Sequence, residues 1–192
     1  KPFLCVMSYS TRQTLSSIFL MAASFVLSLS AATLSQAQAV IEHYDGVLGT
    51  SLDITIYAPD QSNTTNAIEI AISEIAGLER ILTTFQDDSE LMQLNTSRTT
   101  TSSSEALINV MTACEEWFIQ TEGNFSCRLG AIIDFWDEAE ETQQVPSRTD
   151  LSPIARTANR AEIIIDSEQR TIQLGDGIQL DPSGLAKGYI ID

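Results

Sequence analysis

The chain has 192 residues, of which 26 are acidic and 10 are basic, so its formal net charge is −16. A surface this acidic repels nucleic acid and anionic lipid, which argues against a nucleic-acid-binding protein. All the acidic residues follow position 41, and beyond residue 39 the chain has a single Lys, Lys187, and a single His, His43. We expect a structural rather than a catalytic role for His43.

The first 39 residues have the three parts of a secretory signal peptide. Arg12 precedes an uncharged apolar run over 18–34, and Ala37, Gln38 and Ala39 form a cleavage site of small residues. The alternative is a membrane anchor, but a membrane span needs about 20 apolar residues, and Ser and Thr interrupt this run. The sequence therefore predicts a signal peptide over 1–39, a periplasmic protein, and one domain over 40–192.

The first predicted elements after the signal are a strand and two helices. Residues 51–57 alternate polar and apolar, which is typical of a half-buried strand. From Asn66 to Thr83 apolar residues recur three and four apart, which predicts an amphipathic helix. A short helix is predicted over 89–95, capped by Asp88 or Ser89.

A Ser/Thr-rich loop is predicted over 96–104, followed by a further helix. Ser102 and Glu105 have the spacing of a capping box, and Gly123 closes the helix. We expect Trp117 and Phe118 on this helix to pack in the core.

The C-terminal part of the chain mixes helices with short strands. An apolar segment over 132–136 precedes an acidic, Gln-rich stretch that we interpret as a solvated face, and a short helix starts at Asp150. Residues 162–165 and 171–174 flank an evident hairpin turn, and 178–180 predict one more short strand. Because strands and helices do not alternate regularly, we predict an α+β fold with mixed or antiparallel sheets and packed helices.

Two cysteines remain after the signal. Cys114 falls on a predicted helix and Cys127 in the loop that follows it. In an oxidising compartment such a pair can form a disulfide, and two buried thiols are the alternative. No Cys-x-x-Cys spacing points to a metal site.

The strongest local motif runs from Leu180 to Asp192, with the sequence Leu-Asp-Pro-Ser-Gly-Leu-Ala-Lys-Gly-Tyr-Ile-Ile-Asp. A strand ends in Asp181, a turn of small residues follows, and a helix begins. This arrangement gathers free backbone N–H groups and favours a bound phosphate, with Lys187 as an added positive charge. An ordinary strand-to-helix turn with a solvated Lys is the alternative.

This motif resembles the signature of the ApbE family, the FAD:protein FMN transferases. Three further stretches match the family in the same order along the chain. The four blocks are Val47–Thr50, Leu82–Asn95, Gly123–Gly130 with the downstream Asp134–Trp136, and Leu180–Asp192. Together they span essentially the whole predicted domain. The resemblance implies an ApbE-like fold, of which this chain would be the N-terminal part.

The resemblance also implies a reaction. A Thr or Ser hydroxyl on a target protein of a membrane redox complex attacks the FMN-side phosphorus of FAD. AMP leaves, and FMN stays attached to the target. Mg²⁺ is expected to neutralise charge on the pyrophosphate. Membrane association would come through the partners.

Site residues follow from the resemblance position by position. The residues assigned to FAD are Leu48, Phe85, Asn124, Phe125, Ser126, Asp181 and Lys187. Leu48 and Phe85 would line the flavin or adenine pocket, and Asp181 would accept hydrogen bonds from FAD. The carbonyl of Gly184 would be one magnesium ligand. The other ligands and the catalytic base are expected beyond residue 192.

The chain departs from the family pattern at three of these positions. Ser126 stands where the family has Asp, Arg128 where it has Thr, and Leu48 where it has Met. Arg128 would either approach a phosphate or block one. Three functions are compatible with these changes: an FMN transferase, a protein that binds FAD without transferring FMN, and a non-catalytic exported domain.

Overall fold

The computed structural model describes residues 38–58 and 63–192. They fall into a small unit of residues 38–40, 55–58 and 63–64, and a large unit of residues 41–54 and 65–192. Nearly all of the predicted signal peptide lies outside the described residues, so the signal peptide stays a prediction. No helix among the described residues is both long and apolar enough to cross a membrane.

The N-terminal elements of the described chain are a hairpin and a long helix. Strands β1 (Gln38–Val47) and β2 (Thr50–Ala58) form a two-stranded sheet, which confirms the strand predicted over 51–57. Leu48 and Gly49 connect them with φ angles of 53° and 69°, the left-handed pair that a two-residue hairpin turn needs. Helix α1 (Thr64–Leu82) follows, in agreement with the apolar periodicity of its sequence.

Four helices occupy the middle of the chain: α2 (Glu90–Ser97), α3 (Glu105–Gln120), α4 (Gly130–Thr142) and α5 (Arg148–Arg160). The acidic stretch expected after Trp136 is the second half of α4, and its carboxylates are exposed. The loop predicted over 96–104 is shorter, because α2 continues to Ser97.

The predicted capping box at Ser102 is wrong by two residues. Ser104 is the N-cap of α3, and its hydroxyl accepts the Leu107 N–H at 3.2 Å. A carboxylate oxygen of Glu90 on α2 accepts the Ser104 N–H at 2.6 Å. Residues 102–104 are all Ser, so the sequence alone does not identify the N-cap. The hydrogen bond from the Ser104 N–H to Glu90 of α2 favours Ser104.

The predicted hairpin is confirmed as strands β3 (Ile163–Asp166) and β4 (Thr171–Leu174), which pair antiparallel with Ile163 opposite Leu174. The chain after α2 extends this sheet, because Leu174 N–H donates to the Arg98 carbonyl at 2.8 Å. The last helix, α6 (Ser183–Ile191), follows an extended segment.

The strand predicted over 178–180 is wrong. This segment is extended and buried, with Ile178 and Leu180 2% and 1% exposed, but it pairs with no strand in the described chain. Side chains from α2 and the residue after it bond to the Leu180 and Ile178 backbone instead, and the Gly130 N–H donates to the Gln179 carbonyl at 3.0 Å.

The core of the large unit joins these elements. Its largest fully buried side chains come from α2, α3, β4 and the extended segment, and they are Leu91, Leu94, Leu107, Met111, Ile172, Ile178 and Leu180. The outcome is the predicted α+β architecture, with Ala186 and Ile190 of α6 buried in the core.

Candidate functional site

Asp181 lies at the point where the extended segment enters α6. Its N–H donates to the Cys127 carbonyl at 2.8 Å, and its carboxylate accepts the Ser183 N–H at 2.8 Å. The carboxylate therefore satisfies one of the N–H groups that a helix N-terminus leaves unpaired. Asp181 is partly buried, and it lines neither of the two clefts that flank α6.

One face of α6 borders a cleft of about 240 Å³, which we call the first cleft. The turn between β1 and β2, the end of α1 and the loop after it form the other wall. The predicted site residues Leu48, Phe85 and Lys187 all line this cleft, together with Thr84 and Ser183. Three of the four matching blocks of sequence thus meet at a single cavity.

Leu48 and Phe85 both line the first cleft, Leu48 with an unfavourable backbone conformation and Phe85 with an unfavourably exposed ring. Leu48 has a φ of 53°, in the left-handed region that a branched apolar residue seldom adopts. Phe85 is 95% exposed, and exposing an apolar ring to water is unfavourable. A ligand ring stacked on Phe85 would remove that apolar surface from water. The loop that carries Phe85 is held by Ser89, whose hydroxyl donates to the Thr83 carbonyl at 2.7 Å. Both residues are placed for contact with an apolar or aromatic ligand.

The opposite face of α6 borders a more apolar groove of about 670 Å³, which we call the second cleft. Trp117, Phe125, Gly184 and Tyr189 line it. A Cβ at Gly184 would lie 3.3 Å from the Phe125 ring, so the small residue permits this close approach. Trp117 is 49% exposed, which corrects the expectation that it packs in the core.

The turn after α3 orders the third predicted block. The Thr121 hydroxyl accepts the Phe125 N–H at 2.9 Å, and the Thr121 carbonyl accepts the Asn124 side-chain amide at 2.8 Å. The Ser126 hydroxyl oxygen accepts the Arg128 N–H at 3.1 Å. Of these predicted site residues, Phe125 lines the second cleft, while Asn124 and Ser126 border neither cleft.

Arg128 is not at either cleft, and this corrects both roles considered for it. Its side chain is buried, with 6% exposure, and forms an ion pair with Glu115 of α3 through two hydrogen bonds. It also donates to the carbonyls of Ala158 and Ala161 at 3.1 and 2.8 Å, and lies 4.2 Å from the Phe118 ring centroid. Arg128 ties the loop to α3 and to the end of α5, and its guanidinium is directed at these protein groups.

Cys114 and Cys127 form a disulfide, which decides between the two alternatives that the sequence leaves open. Both residues are 2% exposed. The bridge attaches α3 to the residue whose carbonyl accepts the Asp181 N–H. The third sequence block is therefore joined covalently to α3 and by a hydrogen bond to the fourth block.

The described residues do not by themselves make a magnesium site. They contain no group of three His, Cys, Asp or Glu side chains that could hold a metal ion. Gly184 lies in the first turn of α6, where its carbonyl points along the helix towards the Gly188 N–H. That carbonyl is a single ligand, and a bound magnesium ion would need further oxygen ligands from outside the described residues.

His43 lies on the exposed hairpin away from the lining of either cleft, in keeping with the structural role predicted for it. Its ring nitrogens contact the carboxylates of Asp53 at 2.6 Å and Asp45 at 3.3 Å. The hydrogen bond and charge of Asp53, with a smaller effect of Asp45, raise the pKa of His43 above 6.5.

Comparison with known proteins agrees with the arrangement of these blocks. The model of the ApbE family matches residues 48–192, and the chain belongs to that family. Comparison with curated protein sequences gave no match.

Three solved structures show the same fold. The chain is similar to the ApbE protein of Thermotoga maritima, with 20% identity, a TM-score of 0.66, and coverage of 80% of this chain and 50% of that one. The apo flavinyl transferase ApbE of Pseudomonas stutzeri is similar at 18% identity and a TM-score of 0.68, with coverage of 82% of this chain and 53% of that one. A single-residue variant of the flavin transferase ApbE of Vibrio cholerae is similar at 21% identity and a TM-score of 0.68, with coverage of 81% of this chain and 55% of that one. The chain spans about half the length of these structures.

Sequence reasoning misses residues at both clefts. Thr84 and Tyr189 lie inside matching blocks, and each lines a cleft. Trp117 is predicted in the core because helical periodicity does not separate a buried face from one that borders a groove. Asn95 lies in the matching block Leu82–Asn95 and Arg98 in the loop after it, but no local pattern indicates that they hold the segment before Asp181.

Proposed function

We propose that the protein containing this chain is an FAD:protein FMN transferase. The observation that carries the proposal is the convergence of the four family blocks around α6. The first cleft collects an exposed aromatic ring, an apolar side chain and the only Lys after residue 1. An apolar ring system joined to a phosphate-bearing tail, as in FAD, matches that combination.

The proposed reaction transfers a phosphoryl-linked group between two oxygens. A Thr or Ser hydroxyl of a target protein forms a new bond to the FMN-side phosphorus, and the pyrophosphate bond from that phosphorus to the AMP oxygen breaks. AMP leaves with that electron pair, and the hydroxyl proton passes to a base. We assign no base among the described residues.

Each predicted residue has a limited task in this proposal. Phe85 and Leu48 would bind a ring of FAD, and Asp181 would accept hydrogen bonds from its hydroxyl or amide groups. Lys187 would offset phosphate charge, which builds towards the transition state. Asn124, Phe125 and Ser126 would contact FAD from the turn after α3.

Magnesium, export and the partner are further parts of the proposal. The Gly184 carbonyl would be one magnesium ligand, with the others supplied from outside the described residues. A periplasmic location is supported by the signal-peptide pattern and by the disulfide, which persists in oxidising compartments. The target would be a Thr- or Ser-bearing protein of a membrane redox complex. Mass analysis of the exported protein tests export, because an N-terminus at Val40 is expected.

The direct test of function combines FAD titration with detection of FMN on an acceptor protein. Asp181→Ala should weaken FAD binding by about 1.5–3 kcal/mol, roughly ten- to a hundred-fold, because a charge-assisted hydrogen bond is lost. Lys187→Ala should cost less, since water can partly replace a mobile ammonium. Asp176→Ala, at an exposed carboxylate outside the block Leu180–Asp192, is the matched control and should change nothing.

Three outcomes separate the alternatives. FMN fluorescence on the acceptor after denaturing electrophoresis supports the transferase. FAD binding without labelling indicates a protein that only holds FAD, and Ser126→Asp, which restores the family's carboxylate, is then the variant to assay. No FAD binding by the full-length protein would refute the proposal.

A further inference from the structure

The segment that leads to Asp181 pairs with no strand of the described chain, and two side chains hold most of its backbone. One backbone bond adds to them, from the Gly130 N–H to the Gln179 carbonyl at 3.0 Å. The Asn95 side-chain oxygen accepts the Leu180 N–H at 2.8 Å, and its amide nitrogen donates to the Leu180 carbonyl at 2.9 Å. One side-chain amide thus supplies both a donor and an acceptor, as the backbone of an adjacent strand would. Arg98, on the next turn of chain, donates to the carbonyls of Ile178 and Gly175.

Of these side-chain bonds, the two from Asn95 are nearest to Asp181 along the chain. Leu180 is 1% exposed, so water cannot replace a lost partner for its N–H or carbonyl. Asp181 is the next residue, and its own N–H is bonded to the Cys127 carbonyl at 2.8 Å. The position of the Asp181 carboxylate therefore depends on Asn95 on one side and on the disulfide-bonded loop on the other.

We propose that Asn95 is a positioning residue for the FAD site and acts through Asp181. The inference rests on the proposed function, because it takes Asp181 as an acceptor for FAD. Asn95 lines neither cleft, and it reaches the site only through the backbone of Leu180. Releasing that backbone would let the carboxylate shift, and small shifts weaken directional hydrogen bonds to a ligand.

The test is a double-mutant cycle on the full-length protein, read by FAD titration. Asn95→Ala is expected to weaken FAD binding by about tenfold, because the Asp181 acceptor is no longer held in place. In an Asp181→Ala background, adding Asn95→Ala should change FAD binding by less than about twofold. In a transfer assay, the loss should appear in KM for FAD, with kcat at saturating FAD near that of the parent.

Two control variants separate positioning from general destabilisation. Thr96→Ala, on the adjacent residue, removes only a local bond to the Met92 carbonyl and should leave FAD binding unchanged. Val110→Ala opens a cavity in the fully buried face of α3 and lowers stability without removing either bond between Asn95 and Leu180. Compared at matched thermal stability, Val110→Ala should retain parental FAD affinity.

Asn95→Asp is the second variant in case the Ala replacement does not fold. It has the same shape and keeps the acceptor for the Leu180 N–H, but it turns a second acceptor towards the Leu180 carbonyl. We expect weaker FAD binding that is again coupled to Asp181. Additive effects with Asp181→Ala, or an equal loss in Val110→Ala, would overturn the inference.

The failures of the two proposals can be told apart. If the parent protein does not bind FAD, the proposed function fails and the inference falls with it. If the parent binds FAD and Asp181→Ala weakens binding while Asn95→Ala has parental affinity, only the role of Asn95 is refuted.

Discussion

Arg128→Met is expected to destabilise the protein strongly. The change keeps an apolar side chain of similar length beside Phe118 and removes the charge that neutralises Glu115, whose side chain is 20% exposed. It also removes the donors to the carbonyls of Ala158 and Ala161. Removing one partner of a buried pair costs about 3–5 kcal/mol, because the remaining charge is left without compensation.

That cost is a large part of the stability of a typical domain, which is about 5–15 kcal/mol in total. For a protein of this size we expect the melting temperature to fall by about 10 °C. Calorimetry or thermal melting followed by circular dichroism on the full-length protein measures the shift. Arg156→Met, an exposed arginine on α5, is the matched control and should melt like the parent.

The double variant Arg128→Met with Glu115→Gln tests the cause of the loss. Neutralising the carboxylate should recover part of the stability, because no unpaired buried charge remains. If Arg128→Met costs less than about 1 kcal/mol, or if the double variant recovers nothing, the ion pair does not hold the loop as the structure indicates.

Three other changes have definite expected outcomes. His43→Gln should lower the melting temperature more at about pH 5.5 than at about pH 9. The pKa of His43 is raised mainly by Asp53, so the stabilisation is complete below 6.5 and is lost as pH rises through the folded-state value, and equal effects at both pH values would contradict this. Gly130→Ala should destabilise by about 1–3 kcal/mol, because the new Cβ would lie 2.9 Å from a backbone oxygen of the extended segment, and an unchanged melt would show that the segment moves freely. Replacing Cys114 and Cys127 together by Ser should cost about 3 kcal/mol for a crosslink with a sequence separation of 13, and a reductant should then have no further effect on the melting of that variant.

Local patterns predict the elements whose stability comes from one amphipathic face. The period of apolar residues in α1 and the turn between β3 and β4 are sufficient to predict both. The segment before Asp181 resembles a strand in sequence because its side chains are apolar. Its actual partners lie at and just after α2, and Asn95 lies 85 residues before Leu180, a pairing that no local pattern encodes.

The prediction for Arg128 fails for a related reason. An arginine beside a predicted phosphate site is usually expected to be solvated or to bind the ligand, since few arginines are buried. Its carboxylate partner lies 13 residues earlier on a helix, and the carbonyls that it contacts lie about 30 residues later. The residues lining the first cleft are more predictable, because family resemblance groups Leu48, Phe85 and Lys187.

The close approach of Phe125 to Gly184 has a consequence for how this family can diversify. Alanine at position 184 would require the Phe125 ring to move by a few tenths of an ångström, and a larger side chain would displace the ring from its position. The two positions are 59 residues apart in sequence, yet a large side chain at position 184 requires a smaller one at position 125. A library randomised at position 184 alone should return small residues, whereas one randomised at both positions should recover pairs in which a larger residue at 184 accompanies a smaller one at 125.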